Sequence, residues 1–505
     1  MSRTLTLIAL LMGANVLQAQ APVEPMSTGI ANQLFNEKPS FLVGAKVNRP
    51  TCEYREGDAL TVQVSSEEDA YLYVLYQQAD GQVFQAFPNK FQPNNLVKAR
   101  QSVRVPAEND LFRWVVGKPF GKEVIKVLAT KEPVDVLSQP ELLKGRFNPV
   151  SKKDLKGIEV EIGKDQAIRW AETDVEIHTF PNTQPREASK NRRYGVFFGV
   201  SKHQYNEYVV KVKDAKASMD LNAAHRDAQK LAEAMRVSGR LDEVKLFTNE
   251  QATKANMQQA ITEWLPSVSR PGDTVVIYFS GHTGQMPDES GDETDGKDEF
   301  IVPHDIFGLD QYFALGQLYK ENKLSEREVA LFERWRSEVE ALGSAAGMKL
   351  VEKTSVTDDL MARWVQRLDG RQVVFISDSC HSGGFAKDET NFKGAAPETQ
   401  FAFLKGEASR LKNLGQSDHA ILTAAHANET ASERDERDMG VLTYCLVDFL
   451  NRPQGAQKIE DGFKFCEAEM RTYFEKQVAE GKVKNVKPSH PFLLNHCSQP
   501  VFLKP

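Results

Sequence analysis

Two apolar segments, each followed at once by small polar and reactive residues, constrain this chain more than any other feature. Val373–Ile376 is mostly β-branched and is followed, after three small polar residues, by Cys380 and a glycine pair. Upstream, Thr274–Phe279 is followed by Ser-Gly and then His282. Short apolar runs of this kind are typical of buried strands, and an α/β sheet presents its reactive groups where the strands end. If the two strands are parallel neighbours, the cysteine and the histidine lie side by side.

A cysteine and a histidine at adjoining strand ends are a candidate nucleophile and general base. An unperturbed thiol has a pKa of about 8.5 and is little ionised at neutral pH. A nearby imidazole increases its reactivity and can later protonate a leaving amine. We therefore predict that Cys380 and His282 form a catalytic dyad. The alternative is a buried cysteine and a structural histidine.

The order of the two motifs resembles a known family. Ser-Gly-His at 280–282, followed by Asp-Ser-Cys-His-Ser-Gly at 378–383, is similar to the metacaspase branch of the caspase-like cysteine peptidases. The acidic run at 291–299 and Pro-His-Asp at 303–305 also fit that branch. The resemblance covers residues 193–494, with one insertion. It implies a mainly parallel α/β sheet flanked by helices, and a cysteine endopeptidase that works through a thioester intermediate.

The resemblance also implies an oxyanion site formed by backbone N–H groups near Cys380 and Thr283. Metacaspases usually carry glycine after the histidine, where this chain has Thr283. A backbone donor needs no particular side chain. A positive φ at this position, however, would be unfavourable for threonine.

An acidic specificity pocket is the next implication. Asp378 lies two residues before Cys380 and so projects to the same side of the strand. Asp227 matches the family's pocket acid, and Ser280 would complete the lining. Two carboxylates would select Arg or Lys before the cut through charge-assisted hydrogen bonds, and would repel Asp. The alternative is that these acids are structural or cap helices.

Several further acids match positions that resemble the metacaspase calcium site, since Ca²⁺ prefers oxygen ligands from several loops. The candidate ligands are Asp298, Asp358, Asp359 and Asp388. Taken singly, each could equally be a solvated charge or a first-turn helix residue. Calcium is therefore an expected activator, with no organic cofactor implied.

The first residues are typical of a secretory signal peptide. Arg3 supplies the positive charge, residues 5–17 are apolar, and Ala-Gln-Ala at 19–21 is a small-residue cleavage site. The apolar run is too short to span a bilayer, and no other stretch is long enough. We therefore predict residues 1–21 as a signal peptide, a secreted or periplasmic protein, and no membrane span.

The 505 residues can hold two or three domains. Alternating strands predict a β-sandwich over residues 41–135, similar to a β-domain of unknown function that accompanies bacterial caspase-like peptidases. Residues 136–192 are predicted to be a linker, with basic residues that are candidate self-cleavage sites, and 193–497 to be the peptidase domain. Within it, 306–353 is predicted to be a helical insertion, either a lid over the cleft or a tolerated loop insertion.

The formal net charge of −7 gives no basic surface for nucleic acid. The expected partners are protein or peptide substrates with Arg or Lys before the cut, and the expected state is a monomer. Two rival functions remain open from sequence alone. One is a catalytically silent caspase-fold signalling or scaffold protein. The other is a binding protein in which the β-domain acts and proteolysis is secondary.

Overall fold

The computed structural model describes the chain in segments that form two units, each organised around its own large β-sheet. These segments are residues 29–164, 169–183, 191–213, 218–287, 296–343, 346–381, 410, 418–425, 432–434, 436, 438–481 and 489–505. The predicted signal peptide and Asp388 lie outside them.

The N-terminal unit is β-rich. Its strands are β1 Val43–Val47, β2 Glu53–Arg55, β3 Ala59–Leu60, β4 Val62–Ser66, β5 Ala70–Gln77, β6 Val83–Phe87, β7 Leu96–Val97, β8 Ser102–Val105, β9 Trp114–Val115, β10 Lys122–Thr130, β11 Asn148–Val150 and β12 Trp170–Phe180. Its helices are α1 Ile30–Gln33 and α2 Lys152–Lys164, with 3₁₀ turns at Val136–Ser138 and Pro140–Leu143.

Two sheets of this unit pack face to face. A three-stranded sheet has the order β1-β4-β8, and a seven-stranded sheet has the order β11-β6-β5-β10-β12-β2, with β7 beside β5. Apolar side chains from both sheets share one buried core, among them Val43, Val62, Val74, Val127 and Val175. Strand β4 alternates buried and less buried positions, as a strand with one core face should. The N-terminal region is therefore a sandwich.

The structure extends this unit beyond residue 135 and so corrects the predicted linker at 136–192. Within that span, β12 pairs antiparallel with β10 from Trp170 to His178. Helix α2 packs Leu155, Ile158 and Ile162 on the outer face of the larger sheet. The pattern was misleading because one face of β12 carries carboxylates, which are typical of an exposed strand but are buried here.

The C-terminal unit alternates strands and helices. Its strands are β13 Arg193–Gly199, β14 Glu243–Thr248, β15 Thr274–Pro287, β16 Lys297–Ile301, β17 Val356–Thr357, β18 Gln372–His381, β19 His419–Thr423, β20 Gln457–Lys458, β21 Phe492–Asn495 and β22 Phe502–Lys504. Its helices are α3 Asn206–Val212, α4 Ala224–Val237, α5 Lys254–Gln259, α6 Leu265–Val268, α7 Leu309–Lys320, α8 Glu326–Leu342, α9 Ala346–Thr354, α10 Asp358–Gln366, α11 Val441–Asn451 and α12 Ile459–Ala479.

The main sheet of this unit has the order β14-β13-β15-β18-β19-β21, with β16 beside β15 and β17 beside β16. Strands β14, β13, β15, β18 and β19 are parallel, and β21 is antiparallel. Successive residues of β15 face opposite layers: Val275 and Ile277 pack with α5 and α10, whereas Val276 and Tyr278 pack with α4 and α11. This confirms the predicted α/β fold, a mainly parallel sheet covered by helices on both faces.

The span 306–353 carries helices α7, α8 and α9, which share a small core with α3. Phe307 stacks on Trp335 with ring centroids 4.1 Å apart, and Tyr205 meets the edge of Phe307 at 5.2 Å. The segment is therefore anchored beside the end of β13. No helix in the described segments is both long and apolar enough to cross a membrane.

A buried ionic ladder joins the two units. On one face of β12, Glu172 pairs with Arg363, Asp174 lies 3.7 Å from Arg367, and Glu176 lies 3.3 Å from Arg371. Arg363 lies in α10, and Arg367 and Arg371 follow it in the connection to β18, so the cations recur every four residues opposite alternate residues of β12. Lys126 of β10 adds a second cation to Glu172.

The charged groups of the ladder are removed from water, so each one needs a partner of opposite charge. Glu172, Lys126, Arg363 and Arg371 are all buried. Burial opposes ionisation of Glu172 and Glu176, but the neighbouring cations outweigh it, lowering the pKa of both and bringing that of Glu176 to about 2. Breaking one member of such a network leaves an uncompensated buried charge, which typically costs about 3–5 kcal/mol.

Glu172→Gln is therefore expected to lower the free energy of unfolding by about 3 kcal/mol. This value is at the lower end of the range for a broken buried pair, because Asp174 still pairs with Lys126. Thermal unfolding followed by calorimetry measures the change. Glu340→Gln is the matched control, since Glu340 forms an exposed i,i+4 pair with Arg336 on α8 and should leave Tm almost unchanged. Equal Tm values for the two variants would show that the ladder contributes no net stability.

Candidate active site

The site lies where β15 and β18 end, and its geometry follows from their register. The two strands are parallel, and Ser280 is the direct partner of Asp378 while His282 is the direct partner of Cys380. Neighbouring strands lie about 4.8 Å apart. Because side chains alternate along a strand, Ser280, His282 and Asp378 belong to the same face of the sheet, and the side chain of Cys380 lies outside what the structure describes. The structure thus brings together the two strand ends that the sequence predicted to meet.

His282 is held by one defined hydrogen bond. Its Nε2–H donates to the carbonyl oxygen of Met219 at 2.7 Å, which leaves Nδ1 as the basic nitrogen. Nδ1 is buried and has no hydrogen-bond partner among the described residues. Burial lowers the pKa of His282, opposed by the Met219 carbonyl and by the negative charges of Glu433 and Asp220. The imidazole is therefore neutral and ready to accept a proton at neutral pH.

Asp227, Ser280 and Asp378 lie together beneath this pair. Asp227 is in the first turn of α4, and its Oδ2 accepts a 2.8 Å hydrogen bond from Ser280 Oγ. Burial, followed by the charge of Asp378, raises the pKa of Asp227 well above its usual value. Burial likewise raises the pKa of Asp378, against two hydrogen bonds from Thr443. Two buried carboxyl groups that resist losing both protons form a site suited to a cation.

Backbone N–H groups at the start of α11 bind each of the two acids. The Gly440 N–H donates to Asp227 Oδ1 at 2.8 Å, and the Thr443 N–H donates to Asp378 Oδ2 at 2.9 Å. A Cβ at Gly440 would overlap the Asp378 carboxylate, so only glycine fits this position. Nearby, Glu433 accepts the Asn222 and Ala223 N–H groups ahead of α4. The pocket is therefore assembled from three separate parts of the chain.

Thr283 is buried in β15 directly after His282. The φ angle of Thr283 is not positive, whereas that of Gly281, two residues earlier, is 158°. The substitution of threonine for the usual glycine therefore imposes no left-handed backbone. The oxyanion roles of Thr283 and Cys380 stay predictions.

The candidate calcium ligands come together only in part. Asp298 lies on β16, which pairs with β17, and β17 leads directly into Asp358 and Asp359 at the start of α10. Asp298 and Asp358 are buried. Among the described residues, however, no group of three His, Cys, Asp or Glu side chains is arranged to hold a metal ion. The donor chemistry suits a hard cation, but these residues do not complete a site without Asp388, which lies outside the described segments.

Sequence reasoning missed the groups that support the site. Met219, Gly440, Thr443 and Glu433 act through backbone atoms or from irregular segments, so no periodic pattern marks them. His203 was also missed, and its ring lies 5.6 Å from that of His282. The only available signal was its place a few residues after β13, whose end adjoins that of β15.

Comparison with family models divides the chain in the same way as the fold. Residues 200–489, more than half of the chain, match a model described as caspase domain. Residues 53–133 match a domain of unknown function. The match to the domain of unknown function lies within the sandwich, and the caspase-domain match includes the two strands that carry His282 and Cys380.

The most similar relatives match over a short stretch. Metacaspase-1 of Coccidioides immitis is 51% identical over 56 residues, which are 11% of this chain and 12% of that protein. Metacaspase-1A of Aspergillus oryzae is 49% identical over 56 residues, 11% of this chain and 13% of that protein. The aligned stretch is thus about an eighth of each relative.

Solved structures give a broader but weaker likeness. A Geobacter sulfurreducens protein is 17% identical, with a TM-score of 0.36, over 62% of this chain and 97% of that one. Caspase-1 of Spodoptera frugiperda is 10% identical, with a TM-score of 0.35, over 62% of this chain and 90% of that one.

Proposed function

The chain belongs to the caspase-domain family of peptidases, and on that premise we propose that it is an exported cysteine endopeptidase of metacaspase type that cleaves after Arg or Lys. One observation carries the proposal: His282 and Cys380 are register partners, and Ser280 and Asp378, two residues earlier on the same strands, are partners too. A dyad and an acidic pocket on one face of two adjacent strands can engage a single peptide. Export is supported by the apolar run at residues 5–17.

In the proposed reaction the Cys380 thiol transfers its proton to His282 Nδ1, because Nε2 already donates to Met219. The thiolate attacks the scissile carbonyl carbon, and the charge that develops on oxygen is met by backbone N–H groups of Cys380 and Thr283. His282 then protonates the leaving amine, which departs and leaves a thioester. Water, deprotonated by His282, hydrolyses the thioester and regenerates the thiol.

The pocket supplies the preference for a cation. Without substrate, burial and mutual repulsion oppose full ionisation of Asp227 and Asp378. A guanidinium or ammonium group within hydrogen-bond reach of the two side chains would favour both carboxylates by charge-assisted hydrogen bonding. An Asp side chain would instead add a third buried negative charge. Arg or Lys before the cut is therefore the proposed specificity.

Calcium dependence remains part of the proposal. It is supported by Asp298, Asp358 and Asp359, which the β16–β17 pairing brings to adjacent elements. Ca²⁺ bound there would neutralise carboxylates beside the sheet edge that carries His282. The basic segment at 190–193, which precedes β13, is the proposed place for self-cleavage.

Fluorogenic peptides with Arg, Lys or Asp before the cut test the reaction and its specificity. We expect cleavage after Arg and Lys, no cleavage after Asp, and loss of at least about a thousandfold in kcat for Cys380→Ala. Cys497→Ala is the matched control, because burial raises the pKa of this half-buried thiol to about 12 and it should not react. Cleavage after Asp would refute the acidic pocket, and a fully active Cys380→Ala variant would refute the dyad.

Gly440→Ala tests whether the two acids act as one pocket. A Cβ at this position displaces the Asp378 carboxylate, so KM for an Arg peptide should rise about tenfold while kcat changes less. Gly455→Ala is the matched control, since a Cβ there meets no atom within 4 Å. Steady-state kinetics on both variants give the answer. An unchanged KM in Gly440→Ala would place the substrate cation elsewhere.

Chelation tests the calcium proposal. Activity on the Arg peptide should fall in EGTA and return with CaCl₂ but not with MgCl₂, because the site requires many oxygen ligands. Asp359→Asn should raise the calcium concentration needed for half-maximal activity. Asp310→Asn, another first-turn acid but on α7, should not. Full activity in EGTA would remove calcium from the mechanism.

A further inference from the structure

A second imidazole lies against the proposed base. The rings of His203 and His282 are stacked, with centroids 5.6 Å apart and an interplanar angle of 26°. His203 is buried, and neither of its ring nitrogens has a hydrogen-bond partner among the described residues. Each unsatisfied buried polar group costs about 1–3 kcal/mol. Such a cost beside the dyad indicates that the ring serves the site rather than the stability of the fold.

The segment that carries His203 is fixed from several sides. Residues 201–206, here called the 201–206 loop, follow β13. The Ser201 and Lys202 N–H groups donate to Asn249 Oδ1 at 2.9 and 3.1 Å. The Gln204 N–H donates to the His304 carbonyl at 2.8 Å, and His304 Nδ1 donates to the Lys202 carbonyl at 2.7 Å. The backbone on both sides of His203 is therefore held in place.

The same loop also holds the other support of the base. Asn206 Oδ1 accepts the Met219 N–H at 3.0 Å, and Asn206 Nδ2 donates to Ser218 Oγ at 2.9 Å. Met219 is the residue whose carbonyl receives Nε2–H of His282. One short loop thus contacts the face of the imidazole through His203 and fixes its edge through Asn206.

We propose that the 201–206 loop positions the catalytic base, with His203 as a stacking support and Asn206 as the anchor of the Met219 carbonyl. This inference rests on the proposed dyad and adds two positioning residues to it. Without the stacked face, the imidazole could rotate about its single hydrogen bond. Nδ1 would then no longer be held in one orientation, and geometric errors at a catalytic base cost large factors in rate.

An uncharged ring suits this position. Burial and the nearby His282, His304 and Lys202 lower the pKa of His203 to about 3, so it stays neutral throughout the working pH range. His282 itself faces Asp220 and Glu433, whose charges favour its protonated form. When His282 takes the thiol proton, the positive charge develops over a neutral aromatic face instead of beside a second cation.

Two variants at His203 test whether its ring acts by stacking on His282 or only by filling space. His203→Phe keeps a flat aromatic face, whereas His203→Leu keeps an apolar side chain without one. We expect His203→Leu to lower kcat on the Arg peptide at least about tenfold with little change in KM, and His203→Phe to stay within about threefold of wild type. Equal kcat values for the two variants would overturn the stacking role. Thermal unfolding confirms that both are folded.

His419 provides the matched control. It is another buried histidine with an unpartnered Nδ1 among the described residues, and burial lowers its pKa to about 4. It pairs with Val373, seven residues and about 23 Å before Cys380 along β18. His419→Leu should change Tm but not kcat. A kcat loss equal to that of His203→Leu would mean that both variants act only through the fold.

A double-mutant cycle tests whether the two supports act on the same ring. Asn206→Ala releases the Met219 segment and should also lower kcat. If both residues hold one imidazole, the loss in His203→Leu/Asn206→Ala is smaller than the product of the single losses. Losses that simply multiply would show that the two residues act independently and would contradict a shared role.

Alkylation of Cys380 by iodoacetamide separates failure of this inference from failure of the proposed function. It reports thiolate formation by the dyad without any peptide, with Cys380→Ala as the blank. We expect a slower reaction in His203→Leu and a wild-type rate in His203→Phe. A wild-type protein that cleaves no peptide but shows this difference would refute the proposed substrate and keep the positioning role. An identical rate in all three proteins would overturn the positioning role alone.

Discussion

The in-register pairing of β15 with β18 is the constraint on which the site depends. A parallel pair fixes which residues meet, and here Ser280 meets Asp378 and His282 meets Cys380. Odd-numbered residues of β15 pack against α5 and α10, and even-numbered ones against α4 and α11, so a slip of one residue would exchange two differently shaped cores. A slip of two would set His282 beside Asp378 and separate it from the thiol. The core of the sheet therefore specifies which residues meet at the proposed dyad.

Burial acts on four ionisable groups of the site in the same direction, toward the neutral form. It lowers the pKa of His282 and His203 and raises that of Asp227 and Asp378. His203 stays neutral, whereas in the proposed function His282 gains charge from the thiol proton and the two acids become ionised when a substrate cation binds. The hydrogen bonds from Met219, Gly440 and Thr443 orient these groups before that happens. Preorganised dipoles in a water-poor site are the usual source of transition-state stabilisation.

Much of this could be predicted from the sequence because it lies in regular elements. Apolar strands that end in polar residues marked both halves of the proposed dyad, and the resemblance to the family's pocket acid marked Asp227, which lies in the first turn of α4. The groups that hold the site residues in place lie in segments without helical or strand periodicity: the 201–206 loop, the segment at Met219 and the turn at Gly440. Met219 and Gly440 act through backbone atoms, whereas His203 and Asn206 act through side chains but from a segment whose place the sequence pattern does not fix.

The unit boundary could not be predicted for a different reason. The carboxylates of β12 are typical of an exposed face, but they meet cations that are distant in sequence, at intervals of four residues in α10 and beyond. The last of these, Arg371, directly precedes β18, the strand that carries Cys380. The sandwich therefore contacts the segment that leads into the strand of the proposed nucleophile, through charges that are stable only while both units are docked. That arrangement makes the N-terminal unit a part of the peptidase scaffold, because a tethered module would leave the arginines buried and unpaired or exposed to water.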